Sequence, residues 1–311
     1  MVLFSVKLWA WYLTGSLAVL TDALESTVNI ASGFLGLYSL YLSAKPKDAD
    51  HPYGHGKVEF ISAAIEGTLI SVAGLAIIYK SVVSFFEPHQ IQKLDSGIIL
   101  LGITGIVNYA AGFICEKTGK KNNSLPLIAE GRHLKTDTYT TIGIFIGLIL
   151  IYLTNKIWLD SVVACLFGLI IIFTGYKIIR TSVAGIMDEA DLSLLNSLVD
   201  SLNRNRQENW IDLHNLRFIK YGSMLHCDCH LTVPWYLNVS EAHEEVESFA
   251  KLIRNEFGET VELFVHADGC DEFSCRICSK QNCLVRKHAF EKKITWTIKN
   301  ISNDSRHGIF S

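Results

Sequence analysis

The chain has 311 residues, of which 49% are hydrophobic and 19% are charged, and its mean hydropathy is +0.26. Its formal net charge of −3 argues against a basic surface for nucleic acid, so we expect no nucleic-acid partner. Apolar residues crowd the part before residue 185 and become sparse after it. This contrast predicts a transmembrane domain over residues 1–185, a soluble domain over 186–290, and a polar, poorly ordered tail over 291–311.

The first apolar run ends before Gly15 after about 14 residues, fewer than the roughly 20 that cross a bilayer. We expect this first helix to be truncated at its N-terminus, and we expect no cleaved signal peptide. Longer apolar segments follow at 17–43, 58–86, 97–116, 127–154 and 157–179. The sequence therefore predicts an α-helical membrane protein with a six-helix transmembrane bundle.

Positive charges are distributed unequally between the loops of this bundle, with eight on one side and two on the other. The richer side carries Lys45, Lys47, Lys57, Lys117, Lys120, Lys121, Lys177 and Arg180. The poorer side carries Lys93 and Lys156. The positive-inside rule places the richer side, and the soluble domain that follows it, in the cytoplasm. We therefore expect a bacterial inner (plasma) membrane protein with a cytoplasmic C-terminal domain.

Two of the predicted helices carry polar pairs that are costly in a bilayer. Glu25 and Asn29 are four residues apart in the second segment, and His133 and Asp137 are four apart in the fifth, so each pair shares a helix face. Together they offer two carboxylates, an amide and an imidazole, which suit a divalent transition metal. Asp22 is expected to be a bystander near the outer loop. The alternative for each pair is a hydrogen bond between helices.

The soluble domain has the pattern of a small α/β fold. Helical periodicity, two alternating strands, a second helix and a third strand follow one another, which predicts a ferredoxin-like α-β-β-α-β unit. We expect a turn at Gly222 between the first two strands. We expect the second helix to begin after an N-cap at Ser240 and to end at Gly258.

Four of the eight cysteines lie close together, with the spacing Cys270-x4-Cys275-x2-Cys278-x4-Cys283. The central C-x2-C is a common metal-ligand pair, and a reducing cytoplasm disfavours disulfides. We expect an additional zinc site held by four thiolates. Free reduced thiols and an iron–sulfur cluster remain open alternatives.

The stretch "AKPKDADHPYGHGKVE" and the H-x3-D spacing of His133 and Asp137 together resemble the cation diffusion facilitator family, which are proton-coupled exporters of divalent metals. The resemblance covers nearly the whole chain. It implies a transport site of Glu25, Asn29, His133 and Asp137 that works by alternating access. His133 is then the expected proton-coupling residue, because an unperturbed imidazole titrates near physiological pH.

The same resemblance implies that the protein is a transporter and not an enzyme, with no catalytic cofactor. Its expected partners are divalent metal ions, protons, the lipid bilayer and a second copy of the chain in a homodimer. Glu25 and Asn29 stand where bacterial zinc and iron exporters usually present two Asp. Zn²⁺ is placed first as substrate and regulatory ligand, with Fe²⁺, Mn²⁺ and Co²⁺ open.

Further metal sites are implied by the resemblance alone. Asp48, His51 and His55 correspond to a loop site, although a helix-capping loop is the alternative. Lys57 and Asp188 correspond to a structural salt bridge that ties two subunits together. A pair of metals at the dimer interface corresponds to His214, His230, His243, His266 and Asp268.

A second class of function also fits the sequence. The protein could be a membrane-anchored metal sensor, in which the soluble domain and its cysteines signal while the bundle transports little. Metal flux separates the two hypotheses.

Overall fold

The structure, a computed structural model, describes residues 2–86, 94–121, 125–154, 156–222 and 224–308. They form two compact units, one of Met1–Tyr41 and Ile61–Val183, the other of Leu42–Phe60 and Ala184–Ser311. The second unit begins close to the predicted domain boundary. It also includes the segment Leu42–Phe60, which the sequence analysis assigned to the transmembrane domain.

The first unit is helical. Its helices are α1 Val2–Thr14, α2 Leu17–Ser43, α3 Val58–Phe86, α4 Leu94–Lys121, α5 Leu125–Thr154 and α6 Trp158–Ile186. Among the described residues, four stretches are long and apolar enough to cross a membrane: Val58–Phe86, Asp95–Thr118, Leu134–Thr154 and Trp158–Ile186. α1 has only 13 residues, and α2 has 27 but carries the polar groups of the candidate site.

Helices α3 and α6 approach each other through glycines. A Cβ atom on Gly67 would lie 2.9 Å from the carbonyl oxygen of Gly175, and one on Gly74 would lie 3.0 Å from that of Gly168. Both distances are too short for a side chain, so the two backbones pack in direct contact. Small residues drive association of helices in membranes in this way.

An acid from α6 caps the start of α2. Asp160 is fully buried and accepts hydrogen bonds from the Ser16 hydroxyl at 2.5 Å, the Leu17 N–H at 2.6 Å and the Ala18 N–H at 3.3 Å. The first N–H groups of a helix have no intrahelical acceptor, and a carboxylate there also meets the positive end of the helix dipole. Asp160 is therefore a structural residue that joins two helices.

The second unit confirms the predicted α-β-β-α-β order. It contains α7 Leu192–Asn205, β1 Asp212–Tyr221, β2 Met224–Val233, α8 Val239–Phe257 and β3 Val261–Gly269, followed by a 3₁₀ turn at Phe273–Arg276 and α9 Ile298–Ile301. The sheet order is β1-β2-β3, with β1 antiparallel and β3 parallel to β2. Gly222 adopts φ +65° in the β1–β2 turn, a conformation that favours glycine.

One helix start differs from the prediction. Asn238, rather than Ser240, is the N-cap of α8, and its side chain accepts a hydrogen bond from the Glu241 N–H at 3.0 Å. The Glu241 carboxylate accepts a reciprocal bond from the Asn238 N–H at 2.9 Å, which completes a capping box. Asn238 is preferred because Glu241 lies three residues after it, at the position from which a carboxylate reaches back. The helix ends at Gly258 as predicted.

The prediction of a poorly ordered tail over 291–311 is wrong for the part that the structure describes. Trp296 is 1% exposed and Ile301 is fully buried, and both belong to the core formed by α7, α8 and the sheet. The Asn203 side chain bonds both the N–H and the carbonyl of Trp296, at 3.1 and 2.7 Å. The Arg206 guanidinium lies 4.0 Å from the centre of the Trp296 ring. Burial of the Trp296 indole orders this segment even though its average composition, on which the prediction rested, is polar.

Replacing Trp296 with alanine is expected to lower the free energy of unfolding of the second unit by about 3–5 kcal/mol, because the cavity left by an indole cannot close. Leu284→Ala is the control. Leu284 is fully exposed, so its removal should change stability by less than about 0.5 kcal/mol. Urea unfolding of the purified full chain, followed by circular dichroism, measures both. Equal midpoints for the two variants would contradict the role of Trp296 in the core.

Candidate metal sites

The polar residues of α2 and α5 meet in one cavity of the first unit. Glu25, Asn29 and Asp137 all line this cavity, whose volume is about 290 Å³. The Asn29 amide donates a hydrogen bond to the Asp137 carboxylate at 3.0 Å. The Thr140 hydroxyl lies 3.4 Å from a Glu25 carboxylate oxygen and orients it. Glu66 of α3 also lines the cavity.

The fourth predicted transport residue is His133. Its backbone belongs to α5, one turn before Asp137, but its side chain lies outside the described residues. Its roles as ligand and as proton-coupling group stay predictions.

Asp22, which we expected to be a bystander near the outer loop, is 1% exposed in the first unit. The Lys7 ammonium donates to it at 2.9 Å, and so does the Thr141 hydroxyl at 2.9 Å. Lys7 is itself 3% exposed. The sequence analysis missed Lys7 because it lies in the short first apolar run. The ion pair neutralises Asp22, which leaves Glu25, Glu66 and Asp137 as the acidic residues that line the cavity.

The loop residues predicted from the resemblance come together in the second unit. Asp48, His51 and His55 each offer a donor atom within 4.8 Å of the other two. The Asp48 carboxylate lies 3.0 Å from Nδ1 of His51 and 3.4 Å from Nε2 of His55, and the two imidazole rings are 4.3 Å apart. A carboxylate and two imidazoles at this spacing are a plausible donor set for a borderline metal ion. Their function as a metal site stays a prediction.

A row of histidines crosses the sheet of the second unit. His214 on β1 pairs with His230 on β2, and His230 pairs with His266 on β3, so the three side chains stand on neighbouring strands at one level. Adjacent strands are about 4.8 Å apart, which matches ring separations of 5.1 Å and 4.7 Å. Asp268 follows His266 by two residues and shares its face. Strand register alone therefore brings four of the five predicted residues together.

Asp268 is the centre of this cluster. Its carboxylate lies 3.5 Å from Nε2 of His214, 3.1 Å from Nδ1 of His230 and 3.4 Å from Nε2 of His266. His214, His230 and Asp268 present donor atoms within 4.8 Å of one another. The Arg306 guanidinium also lies 3.3 Å from Asp268. The Arg306 guanidinium therefore already pairs with the Asp268 carboxylate, which a metal ion would need as a ligand.

The fifth predicted residue, His243, lies on the exposed surface of α8 and is not among the residues that form this cluster. Its proposed role at a dimer interface stays a prediction.

Two residues that the sequence analysis missed, Asp212 and His307, lie next to the cluster. Asp212 lies 3.6 Å from Nδ1 of His214 and accepts hydrogen bonds from both the backbone and the ring of His307. Burial alone would raise the pKa of Asp212, but the bonds from His307 outweigh it and hold the pKa below its usual range. Burial lowers the pKa of His214, which favours the neutral imidazole that binds metals. No motif in the sequence links residues so far apart along the chain.

The Asp212 carboxylate lies just beyond hydrogen-bond distance of Nδ1 of His214 and would orient the ring by accepting a bond from it when Nε2 holds a metal ion. Replacing Asp212 with asparagine is therefore expected to weaken divalent-metal binding at this cluster by about 10–100-fold. Competition binding with a chromogenic chelator on the purified full chain measures it. Asp304→Asn is the control, since the Asp304 side chain is 85% exposed. Unchanged affinity in Asp212→Asn would exclude an orienting role.

The four clustered cysteines follow β3. Cys270, Cys275 and Cys283 line one cavity, whereas Cys278 is buried beside Ile211, Ile277 and Ile294. All eight cysteines are free. Within the part of the chain that the structure describes, no three of the clustered sulfurs lie within 4.8 Å of one another.

The predicted salt bridge between Lys57 and Asp188 forms within one chain, and both residues belong to the second unit. The Lys57 ammonium lies 2.9 Å from the Asp188 carboxylate and 3.3 Å from the carbonyl oxygen of Ile186. This contact fastens the segment before α3 to the residue after α6. Whether the pair also acts between subunits stays a prediction.

Comparison with known proteins agrees with both units. The family model for the cation efflux transmembrane domain matches residues 1–187, and that for the cytoplasmic domain of cation efflux proteins matches 196–270. An uncharacterized transporter of Synechocystis is 33% identical over 80% of each chain. The manganese efflux system protein MneS of Bacillus subtilis is 27% identical, over 82% of this chain and 87% of its own.

The cation-efflux pump FieF of Pectobacterium atrosepticum is 25% identical, over 86% of this chain and 88% of its own. The transmembrane match alone covers more than half of the chain. These matches, the apolar helices and the small C-terminal sheet agree with one another. The chain belongs to the cation diffusion facilitator family, whose members are membrane transporters of divalent metal ions and not enzymes.

Proposed function

We propose that this protein exports a divalent first-row transition metal from the cytoplasm in exchange for protons. The observation that carries the proposal is the cavity where Glu25, Asn29 and Asp137 meet inside an apolar helical unit. Ionisable groups are expensive in such a setting and mark ion pathways. The Lys7–Asp22 pair is already neutral, and the carboxylates of Glu25 and Asp137 together match the charge of one divalent ion, with Glu66 of α3 as a third acidic residue of the cavity.

The donor set favours hard or borderline ions. Glu25 and Asp137 supply carboxylate oxygens, Asn29 can turn a carbonyl oxygen toward the ion, and His133 would add one imidazole nitrogen. Carboxylate and carbonyl oxygens suit Mn²⁺, and imidazole extends the range to Fe²⁺, Co²⁺ and Zn²⁺. Two relatives are named as manganese efflux proteins, MneS and MneP of Bacillus subtilis. We therefore place Mn²⁺ before Zn²⁺ as the cargo to test.

The proposed cycle is alternating access at this single site. Metal from the cytoplasm binds between α2 and α5 and replaces the Asn29–Asp137 hydrogen bond. The bundle then opens to the other side, where protons compete for His133 and the carboxylates and release the metal. Protonation neutralises the donors, so the empty carrier can return without a buried charge. Protons are then discharged into the cytoplasm.

We further propose that the inner membrane holds a homodimer whose second unit binds cytoplasmic metal. The match to the cation efflux cytoplasmic domain and the His214–His230–Asp268 cluster support this part. Metal would have to displace Arg306 from Asp268 to bind there. Occupancy therefore depends on cytoplasmic metal concentration, as a regulatory site requires.

Flux in proteoliposomes tests the proposal. Vesicles are loaded with a metal-sensitive dye and a pH-sensitive dye, their lumen is acidified, and Mn²⁺ or Zn²⁺ is added outside. Antiport predicts metal entry together with alkalinisation of the lumen. Metal entry without proton movement would exclude coupling. Metal binding without entry would instead support a membrane-anchored sensor.

A further inference from the structure

The cysteine-rich segment lies beyond the part of the chain that the family model of the cytoplasmic domain matches. The match to the cation efflux cytoplasmic domain ends at residue 270, which is the first clustered cysteine. The segment from Cys270 to Lys292 contains only one 3₁₀ turn, Phe273–Arg276, as regular structure. Few apolar side chains hold it in place, since its buried part consists of Ile277 and Cys278 packed on Ile211 and Ile294. Irregular segments with so small a core commonly depend on a metal or another cross-link.

The four cysteines lie in the same part of the second unit, although no three of their sulfurs lie within 4.8 Å of one another in the described residues. Cys270, Cys275 and Cys283 line one cavity, and Cys270 also packs against the small buried cluster to which Cys278 belongs. Zn–S bonds of about 2.3 Å require sulfurs about 3.8 Å apart. The sulfurs would therefore move closer on binding, which a segment without regular structure permits.

Arg286 holds several parts of the segment together by hydrogen bonds to their backbone carbonyl oxygens. The Arg286 guanidinium donates to the carbonyl oxygens of Cys275 at 2.8 Å, Cys278 at 3.0 Å and Lys280 at 2.6 Å. The Lys287 N–H points at the Cys275 sulfur at 3.5 Å. Backbone N–H groups aimed at sulfur are the usual outer support of thiolate ligands.

The charge of the segment also fits an anionic centre. A divalent ion bound by four thiolates has a net charge of −2. The segment has five positive side chains, Arg276, Lys280, Arg286, Lys287 and Lys292, against three acidic ones, Asp271, Glu272 and Glu291. The surplus of positive charge would compensate the centre, and Arg286 is held beside the cysteines by its bonds to the carbonyl oxygens of Cys275 and Cys278.

We propose that Cys270, Cys275, Cys278 and Cys283 form a tetrahedral thiolate site for Zn²⁺ that is separate from the transport path. The ion would replace the missing apolar core of the segment and fix the connection between β3 and the buried Trp296. This function is structural, so it does not depend on the transport proposal. Loss of the site would leave the Glu25–Asp137 cavity intact.

Titration of the metal-free full chain with Co²⁺ tests the site, because only thiolate ligands give an intense near-ultraviolet charge-transfer band. We expect that band in the parent, with an end point of one Co²⁺ per chain, and its loss when Zn²⁺ is added. The Cys275→Ser/Cys278→Ser variant should lack it. The Cys115→Ser/Cys165→Ser variant, altered only in the helical unit, is the matched control and should keep it.

A second measurement on the unmutated protein covers the case in which the serine variant does not fold. Zn²⁺ should slow iodoacetamide labelling of the four clustered cysteines by about 10-fold or more, while Cys115 labels equally with and without Zn²⁺. No charge-transfer band in the parent, an unchanged band in Cys275→Ser/Cys278→Ser, or equal labelling would overturn the proposal. Iron and sulfide in the purified protein would overturn it as well. Metal flux serves as a separate readout, so failure here is distinguishable from failure of transport.

Discussion

Proteoliposomes that contain the Asp137→Ala variant are expected to lose metal flux by about 100-fold or more. The substitution removes the carboxylate of Asp137 from the cavity and leaves the Asn29 amide without its acceptor. The lost negative charge weakens the compensation of a divalent ion in an apolar unit. A loss of about 3 kcal/mol in binding already corresponds to more than 100-fold. Initial rates of Mn²⁺ and Zn²⁺ entry under an imposed pH gradient are the measurement.

Two further variants make this result specific. Asp95→Ala removes an exposed carboxylate from the first turn of α4 in the same unit, and it should transport like the parent. Asp137→Asn keeps the shape of the side chain but not its charge, so it should lose flux almost as completely as Asp137→Ala. Full metal flux in Asp137→Ala would contradict the assignment of the transport site to this cavity.

The Asn29→Asp variant is expected to change metal preference by about 10-fold in favour of Zn²⁺ over Mn²⁺. The substitution replaces a neutral amide, which lies 3.0 Å from the Asp137 carboxylate, with a further carboxylate. An anionic donor strengthens binding most for ions late in the Irving–Williams order, and Zn²⁺ lies later than Mn²⁺. Competition flux with both ions present measures the preference.

Asn29→Ala separates the added charge from the lost amide. If the charge sets the preference, Asn29→Ala should transport slowly but keep the parental ratio of Mn²⁺ to Zn²⁺. Asn196→Asp, an exposed change on α7, is the control for the assay and should leave both rates unchanged. Parental selectivity in Asn29→Asp would show that other residues decide the cargo.

The central cavity could be anticipated because its signal is local. Glu25 and Asn29 are four residues apart, and Asp137 follows His133 by the same spacing, so helical geometry places each pair on one face. Costly polar groups in two apolar helices then favour a shared site. The partners that tune the site could not be anticipated. Lys7 pairs with Asp22 through tertiary packing, and nothing in its local pattern distinguishes it from a lysine that reaches toward a lipid headgroup.

The soluble unit illustrates the same limit. The order of strands and helices follows from hydrophobic periodicity, yet the meeting of His214, His230 and His266 depends on strand register, which no single strand encodes. Arg306 and His307 reach the cluster from the end of the chain, where composition predicted disorder. Trp296 explains that error. The average polarity of the segment does not reveal that one large apolar side chain fits into the core of the soluble unit.

The cap that Asp160 provides for α2 bears on how genetic screens of such proteins are interpreted. This acid lies within an apolar span, is fully buried and satisfies three donors at the start of the helix that carries Glu25 and Asn29. A library of random variants would score it as intolerant as Asp137, and cells carrying Asp160→Ala would be equally metal-sensitive. Only the amount of protein in the membrane distinguishes the two variants. Asp160→Ala removes the cap of α2 and should lower the amount of folded carrier, whereas Asp137→Ala should leave a normal amount of carrier that does not transport.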